Sequence, residues 1–161
     1  MKIIEKFLSF VFSLAIFGWI AAPIHEGFHL LASRSFGVDG RIGLAWGGYG
    51  TFQPDSFLSP GGNIIMLLAG GLGTGLVFLI LWMLAAYQAK YTKWELDDAS
   101  ALFLVMAMQF TYAPIDAFWP SAPNWIIAVS ALAAFGATGA IYGKALIEWI
   151  AAEEKENKKV V

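Results

Sequence analysis

The residues with the clearest chemical potential are His25, Glu26 and His29, in the order H-E-x-x-H. They hold the only 2 histidines of the chain. On a helix, positions i and i+4 share a face, so both imidazoles can address one ion. Zinc accepts that geometry, and the glutamate beside the first ligand can act as general base toward water activated by the ion. The alternative is that the three side chains sit at an interface and simply face water.

Catalytic zinc sites usually take three protein ligands and leave one position open. The chain has no cysteine and no third histidine, so the remaining ligand must be a carboxylate or weaker. Asp116 is the best candidate, because it lies in an apolar run, Ala113-Pro114-Ile115-Asp116-Ala117-Phe118-Trp119, without a cationic neighbour. Its alternative role is an interfacial aspartate beside Trp119. Pro114 is expected to break the helix locally and turn Asp116 inward. Asp39, Asp55, Asp97 and Asp98 rank lower as ligands, because they read as loop residues.

The elements that must carry these residues are membrane spans. The chain has 161 residues, 58% hydrophobic and 14% charged, and its mean hydropathy is +0.65. A soluble domain would carry about 25% charged residues. Four apolar stretches reach the roughly 20 residues that cross a bilayer, at about residues 7–33, 64–88, 99–119 and 124–150, followed by a charged tail at 151–161. The expected fold is an all-α membrane protein of four transmembrane helices, a single integral membrane domain over residues 1–161. The first stretch runs on through Pro23 without a convincing cleavage site, so it reads as a span rather than a signal peptide. A formal charge of −2 and the lack of a basic stripe argue against nucleic acid as a partner.

Depth supports the pairing of the two motifs. At 1.5 Å per residue, His25 lies roughly 28 Å along its helix from Lys6, and Asp116 roughly 27 Å from Asp98. The first and third spans start on the same side, so the candidate ligands reach similar depth. Lys2, Lys6, Lys90, Lys93, Lys155, Lys158 and Lys159 fall on the side of the termini, and only Arg34 and Arg41 on the other. The positive-inside rule then expects both termini in the cytoplasm.

The connection between the first two spans is rich in glycine and aromatics, with Gly37, Gly40, Gly43, Gly47, Gly48, Gly50, Trp46, Tyr49 and Phe52. It could form a hairpin turning at Gly47-Gly48, which would cover a cleft or offer an edge to an extended peptide. Equally, it could be an interfacial loop with aromatic anchors. The run Gly70-Gly71-Leu72-Gly73-Thr74-Gly75 matches a phosphate-loop pattern only superficially, since no strand precedes it. Gly71/Gly75 and Gly139/Gly143 are spaced for close helix packing.

Taken together, the pattern resembles the site-2 protease family of intramembrane zinc metalloproteases. His25, Glu26 and His29 match its H-E-x-x-H helix. Pro114-Ile115-Asp116-Ala117 matches its later aspartate motif without the Asn or the closing Gly, and Ala69-Gly70-Gly71-Leu72-Gly73-Thr74 resembles its Ala-Gly-Pro-x-x-Asn stretch. The resemblance covers about residues 17–119. It implies an endopeptidase with a zinc cofactor held by His25, His29 and Asp116, with Glu26 as catalytic base. The implied substrate is a membrane-protein or peptide segment in the lipid bilayer. Thr74 would contact the substrate backbone or a ligand, or else serve helix packing. Members place zinc nearer the cytoplasm, whereas the Lys/Arg count puts this cluster toward the other face. The competing expectation is a non-catalytic metal-binding or scaffold subunit of a larger membrane complex.

Overall fold

A computed structural model describes residues 2–45, 49–89, 96–119 and 123–157. Four helices appear in chain order: α1 (Lys2–Ser35), α2 (Pro60–Ala89), α3 (Leu96–Phe118) and α4 (Asn124–Asn157). Each is long and apolar enough to cross a bilayer, which marks a multi-pass membrane protein. Between α1 and α2 lie two strands, β1 (Gly40–Ala45) and β2 (Tyr49–Pro54). They pair antiparallel, with Ile42 opposite Phe52 and Leu44 opposite Gly50. Gly47 and Gly48, where the sequence suggests a turn, lie outside the described residues, as does Trp46.

Local chemistry sets the helix ends. α1 stops where Gly37 takes a left-handed φ of 77°, a conformation that favours glycine. The Gly37 and Val38 amides then close on the carbonyls of Arg34 and Ser33 at 2.9 and 3.1 Å. This reversal feeds the chain into β1. α2 begins at Pro60, earlier than its apolar run suggests, because Ser59 caps it: the Gly62 amide donates to Ser59 Oγ at 3.2 Å. Proline suits the first helical position, whose amide has no intrahelical acceptor.

Two expectations change here. α3 runs unbroken through Pro114 to Phe118. Pro114 removes one amide of the ladder four residues before the end of α3 without stopping the helix. Asp97 and Asp98 belong to the first turn of α3 rather than to a loop. Acidic residues are favourable there, near the positive end of the helix dipole.

α3 is the hub, packing against α1, α2 and α4. Its Leu102, Val105 and Met106 join Ala21 of α1 and Phe78 of α2 in the buried core. Glycines allow α2 to approach closely. A Cβ on Gly71 would come within 2.6 Å of the Ala113 Cβ, and one on Gly75 within 2.7 Å of the Phe110 ring. Gly139 and Gly143, spaced in the same way, meet no atom within 4 Å, so no partner helix in the described chain uses that spacing.

The end of the bundle away from the histidines is pinned by charge. Lys6 Nζ donates to Asp97 Oδ2 at 3.1 Å, and Ser13 Oγ donates to Asp98 Oδ1 at 2.5 Å. Both contacts tie α1 to the start of α3, which fixes the axial register between the two helices. On the far side of α3, the Trp82 indole N–H donates to the Tyr142 hydroxyl, linking α2 to α4.

Candidate metal centre

The register set by Lys6–Asp97 brings the C-terminal part of α3 level with the motif on α1. His25, Glu26 and His29 are buried, at 8%, 7% and 5% exposure, although much of the rest of α1 is exposed. His29 Nε2 lies 3.5 Å from Asp116 Oδ2. One ligand atom from each of His25, His29 and Asp116 falls within 4.8 Å of the others, so the three form a group able to hold a metal ion.

The second nitrogen of each imidazole is already engaged. His29 Nδ1 donates to the Met66 backbone carbonyl at 2.7 Å, since that oxygen can only accept. This fixes the tautomer and leaves Nε2 with a free lone pair. His25 Nδ1 meets Gln109 Oε1 at 2.9 Å, with the same consequence. Metal-ligating histidines almost always donate their other N–H in this way, to a carbonyl or a carboxylate. α2 and α3 therefore orient both rings from behind, and neither residue is adjacent in sequence to the motif.

Space is reserved around the rings. A Cβ on Gly70 would collide with the His29 ring and lie 2.7 Å from His25 Nε2. A Cβ on Gly50 of β2 would lie 2.8 Å from Glu26 Oε1. The Phe52 ring stacks on His29 at 6.2 Å between centroids and 24° between planes, and Tyr112 lies 5.9 Å from the His25 ring. β2 thus sits against the same face of α1 as the cluster.

A cavity of about 490 Å³ contains His25, Glu26, His29 and Asp116, with β2 residues Gly50, Thr51 and Phe52 in its wall. No lysine or arginine lines it among the described residues. Two carboxyl groups at membrane depth without a cationic partner are costly. A divalent cation between two imidazoles and a carboxylate offsets that cost, so the donor set fits a metal. Glu26 has no hydrogen-bond partner among the described residues, which leaves its carboxylate open to the cavity.

The other aspartates considered as ligands are engaged elsewhere. Asp39 accepts from Arg34 Nε at 3.0 Å and from the Gly40 amide at 2.9 Å. Asp55 lies 3.9 Å from Arg41, while Asp97 and Asp98 hold Lys6 and Ser13. Thr74 is fully buried, lies outside the cavity lining, and its Oγ1 has no hydrogen-bond partner among the described residues. Sequence reasoning missed Gln109 and the Met66 carbonyl. The signal available for Gln109 was an amide in an otherwise apolar span, seven residues before Asp116 and so on the same helix face. No family model, curated protein or solved structure matches the chain.

Proposed function

We propose that the protein is an intramembrane zinc endopeptidase, which hydrolyses a peptide bond in a membrane-associated segment. The observation that carries this reading is the convergence of His25, His29 and Asp116 beside the open carboxylate of Glu26 in one cavity of a membrane-spanning bundle. Two imidazoles and a carboxylate, with a position left open, are ligands that suit zinc in a hydrolytic site. Held there, zinc would supply Lewis acidity, lowering the pKa of a coordinated water and polarising the carbonyl under attack.

The chain supplies the rest. Glu26 takes the proton from the attacking water and delivers it to the leaving amine nitrogen as the C–N bond breaks. Gln109 and Met66 hold the two imidazoles in the tautomer that presents Nε2. A transmembrane helix hides its peptide bonds in its own hydrogen-bond ladder, so a substrate must be locally unwound. In this reading β1 and β2 are the arms of a Gly/aromatic hairpin. A two-stranded sheet leaves each strand one unpaired edge, and the edge of β2 at the cavity wall would hold a substrate extended. We also assign both termini to the cytoplasm, from the lysines that cluster on their side.

The test is cleavage of lysine-flanked, membrane-spanning peptides by the purified chain in vesicles, with bound zinc quantified in parallel. Glu26→Gln is expected to lower the rate by a factor of about 10²–10⁴ with zinc retained. His25→Ala is expected to lose both. Full activity in Glu26→Gln contradicts the mechanism. Bound zinc with no cleavage by the native chain favours a non-catalytic metal-binding or scaffold subunit of a larger membrane complex.

A further inference from the structure

The cavity extends well beyond the candidate metal centre. Along α1 it follows Gly18 and Ala22 before reaching His25 and Glu26, a spacing of four and then three or four residues that keeps one helix face. Gly18 lies roughly 10 Å along the axis from His25, toward the middle of the membrane. The other wall comes from Gln109 and Tyr112 of α3 and Ile127 of α4. At the end away from Gly18 the cavity meets β2.

Two features make this stretch a trough rather than a packing defect. Gly18 is exposed and a Cβ there would meet no atom within 4 Å, so the cavity is open to the outside along this stretch of α1. In addition, α1 and α4 both pack on α3 but make no extended contact with each other among the described residues. The trough therefore lies open between α1 and α4. Its walls beyond His25 and Glu26 are Ala22, Ile127 and the Tyr112 ring, with no charged side chain among the described residues.

We propose that Gly18 and Ala22 form a specificity subsite, which receives a bulky apolar side chain of a membrane-embedded peptide segment entering sideways between α1 and α4. This rests on the endopeptidase reading and adds to it the residues that select a substrate side chain. An extended chain advances about 3.3 Å per residue, so the trough accepts a side chain about three residues from the scissile bond. The occupant is a peptide segment because the trough is continuous with Glu26 and the ligand cluster at one end and with the β2 edge beyond them. A leucine or phenylalanine fills the volume that Gly18 leaves, whereas alanine does not.

The absence of cysteine makes a direct test clean. In a Glu26→Gln background, Gly18→Cys is reconstituted with lysine-flanked polyleucine peptides of about 20 residues, the length that spans a bilayer. Each peptide carries one cysteine in its central segment, and the disulfide yield under mild oxidation is compared with that of Phe12→Cys, which is exposed on α1 as Gly18 is but lies outside the cavity lining. Selective cross-linking at Gly18 is expected. In the second arm, otherwise native chain and Gly18→Leu are given peptides with Leu, Phe or Ala three residues from the cut. The native chain is expected to prefer Leu or Phe by about tenfold, the size of effect that one apolar pocket gives. Gly18→Leu is expected to reverse that preference with zinc content unchanged, since the new side chain meets no protein atom at its Cβ.

Equal cross-linking at Gly18 and Phe12 overturns the subsite, whether or not cleavage occurs. Cleavage with an unchanged preference in Gly18→Leu also overturns it and leaves the endopeptidase reading standing. Selective cross-linking without cleavage by the native chain supports the trough as a binding site and removes the endopeptidase reading alone.

Discussion

The imidazole of His25 and the amide of Gln109 meet at 2.9 Å, Nδ1 to Oε1, across the interface of α1 and α3. The contact joins residues 84 positions apart and decides which nitrogen of His25 faces the cavity. Gln109→Leu keeps the approximate volume and removes the acceptor. It is expected to weaken zinc binding by about 10–100-fold, the usual effect of losing such a partner. Gln109→Glu restores an acceptor and is expected to recover most of the affinity. Competition with a calibrated chelator measures both.

Gly70 gives a steric test of the same centre. Its missing Cβ leaves room for both imidazoles, and alanine there would push into the His29 ring and toward His25 Nε2. Gly70→Ala is expected to cost about 1–3 kcal/mol, as overpacking does, and to abolish zinc binding. Gly136→Ala, at an α4 position with nothing within 4 Å, is the control and is expected to leave zinc unchanged and stability unchanged or raised by up to about 1 kcal/mol, since alanine is the better helix former. Thermal unfolding in detergent and metal analysis read the two effects separately.

The Lys6–Asp97 pair tests how the site reaches its register. Both groups are mostly buried, with 18% and 7% of their side chains exposed. Lys6→Met leaves a buried carboxylate without this partner and is expected to destabilise the fold by about 3 kcal/mol. The double variant Lys6→Met/Asp97→Leu removes both charges and is expected to regain most of that loss. A double variant as unstable as the single one would show that the pair does not act as a unit.

Outside the membrane, Asp39 carries a pH signature. The hydrogen bond from Arg34, together with that from the Gly40 amide, holds its carboxyl below the ordinary aspartate range. A depressed folded-state pKa means that the contribution is present above the unfolded value and is lost as pH falls through the folded one. The turn from α1 into β1 is therefore expected to loosen only at acid pH. Arg34→Gln is expected to raise the Asp39 titration midpoint, read by NMR of the labelled carboxyl carbon.

Much of the arrangement was legible in the chain because its signals are local or periodic. Four apolar runs fix four helices, and H-E-x-x-H fixes which face of α1 carries nitrogen and oxygen. The matching distances of His25 from Lys6 and of Asp116 from Asp98 anticipated their approach, and Lys6–Asp97 is the contact that makes the two rulers share a zero. Other features depend on neighbours that no local pattern reveals. The Met66 carbonyl supports His29 across 37 residues, and a backbone oxygen has no sequence signature. Gly70 reads as a packing glycine until the structure puts His29 against it. Pro114 reads as a breaker, but α3 continues through it to Phe118. Ser59-Pro60 is a helix start that the apolar run masked.

The metal centre is best tested by anomalous diffraction at the zinc edge from crystals of the zinc-loaded protein. One peak is expected, about 2.0–2.2 Å from His25 Nε2, His29 Nε2 and a carboxylate oxygen of Asp116, with Glu26 facing the open side of the ion without ligating it. A chain that binds no zinc, or an ion held without Asp116, would overturn the assignment of the three ligands.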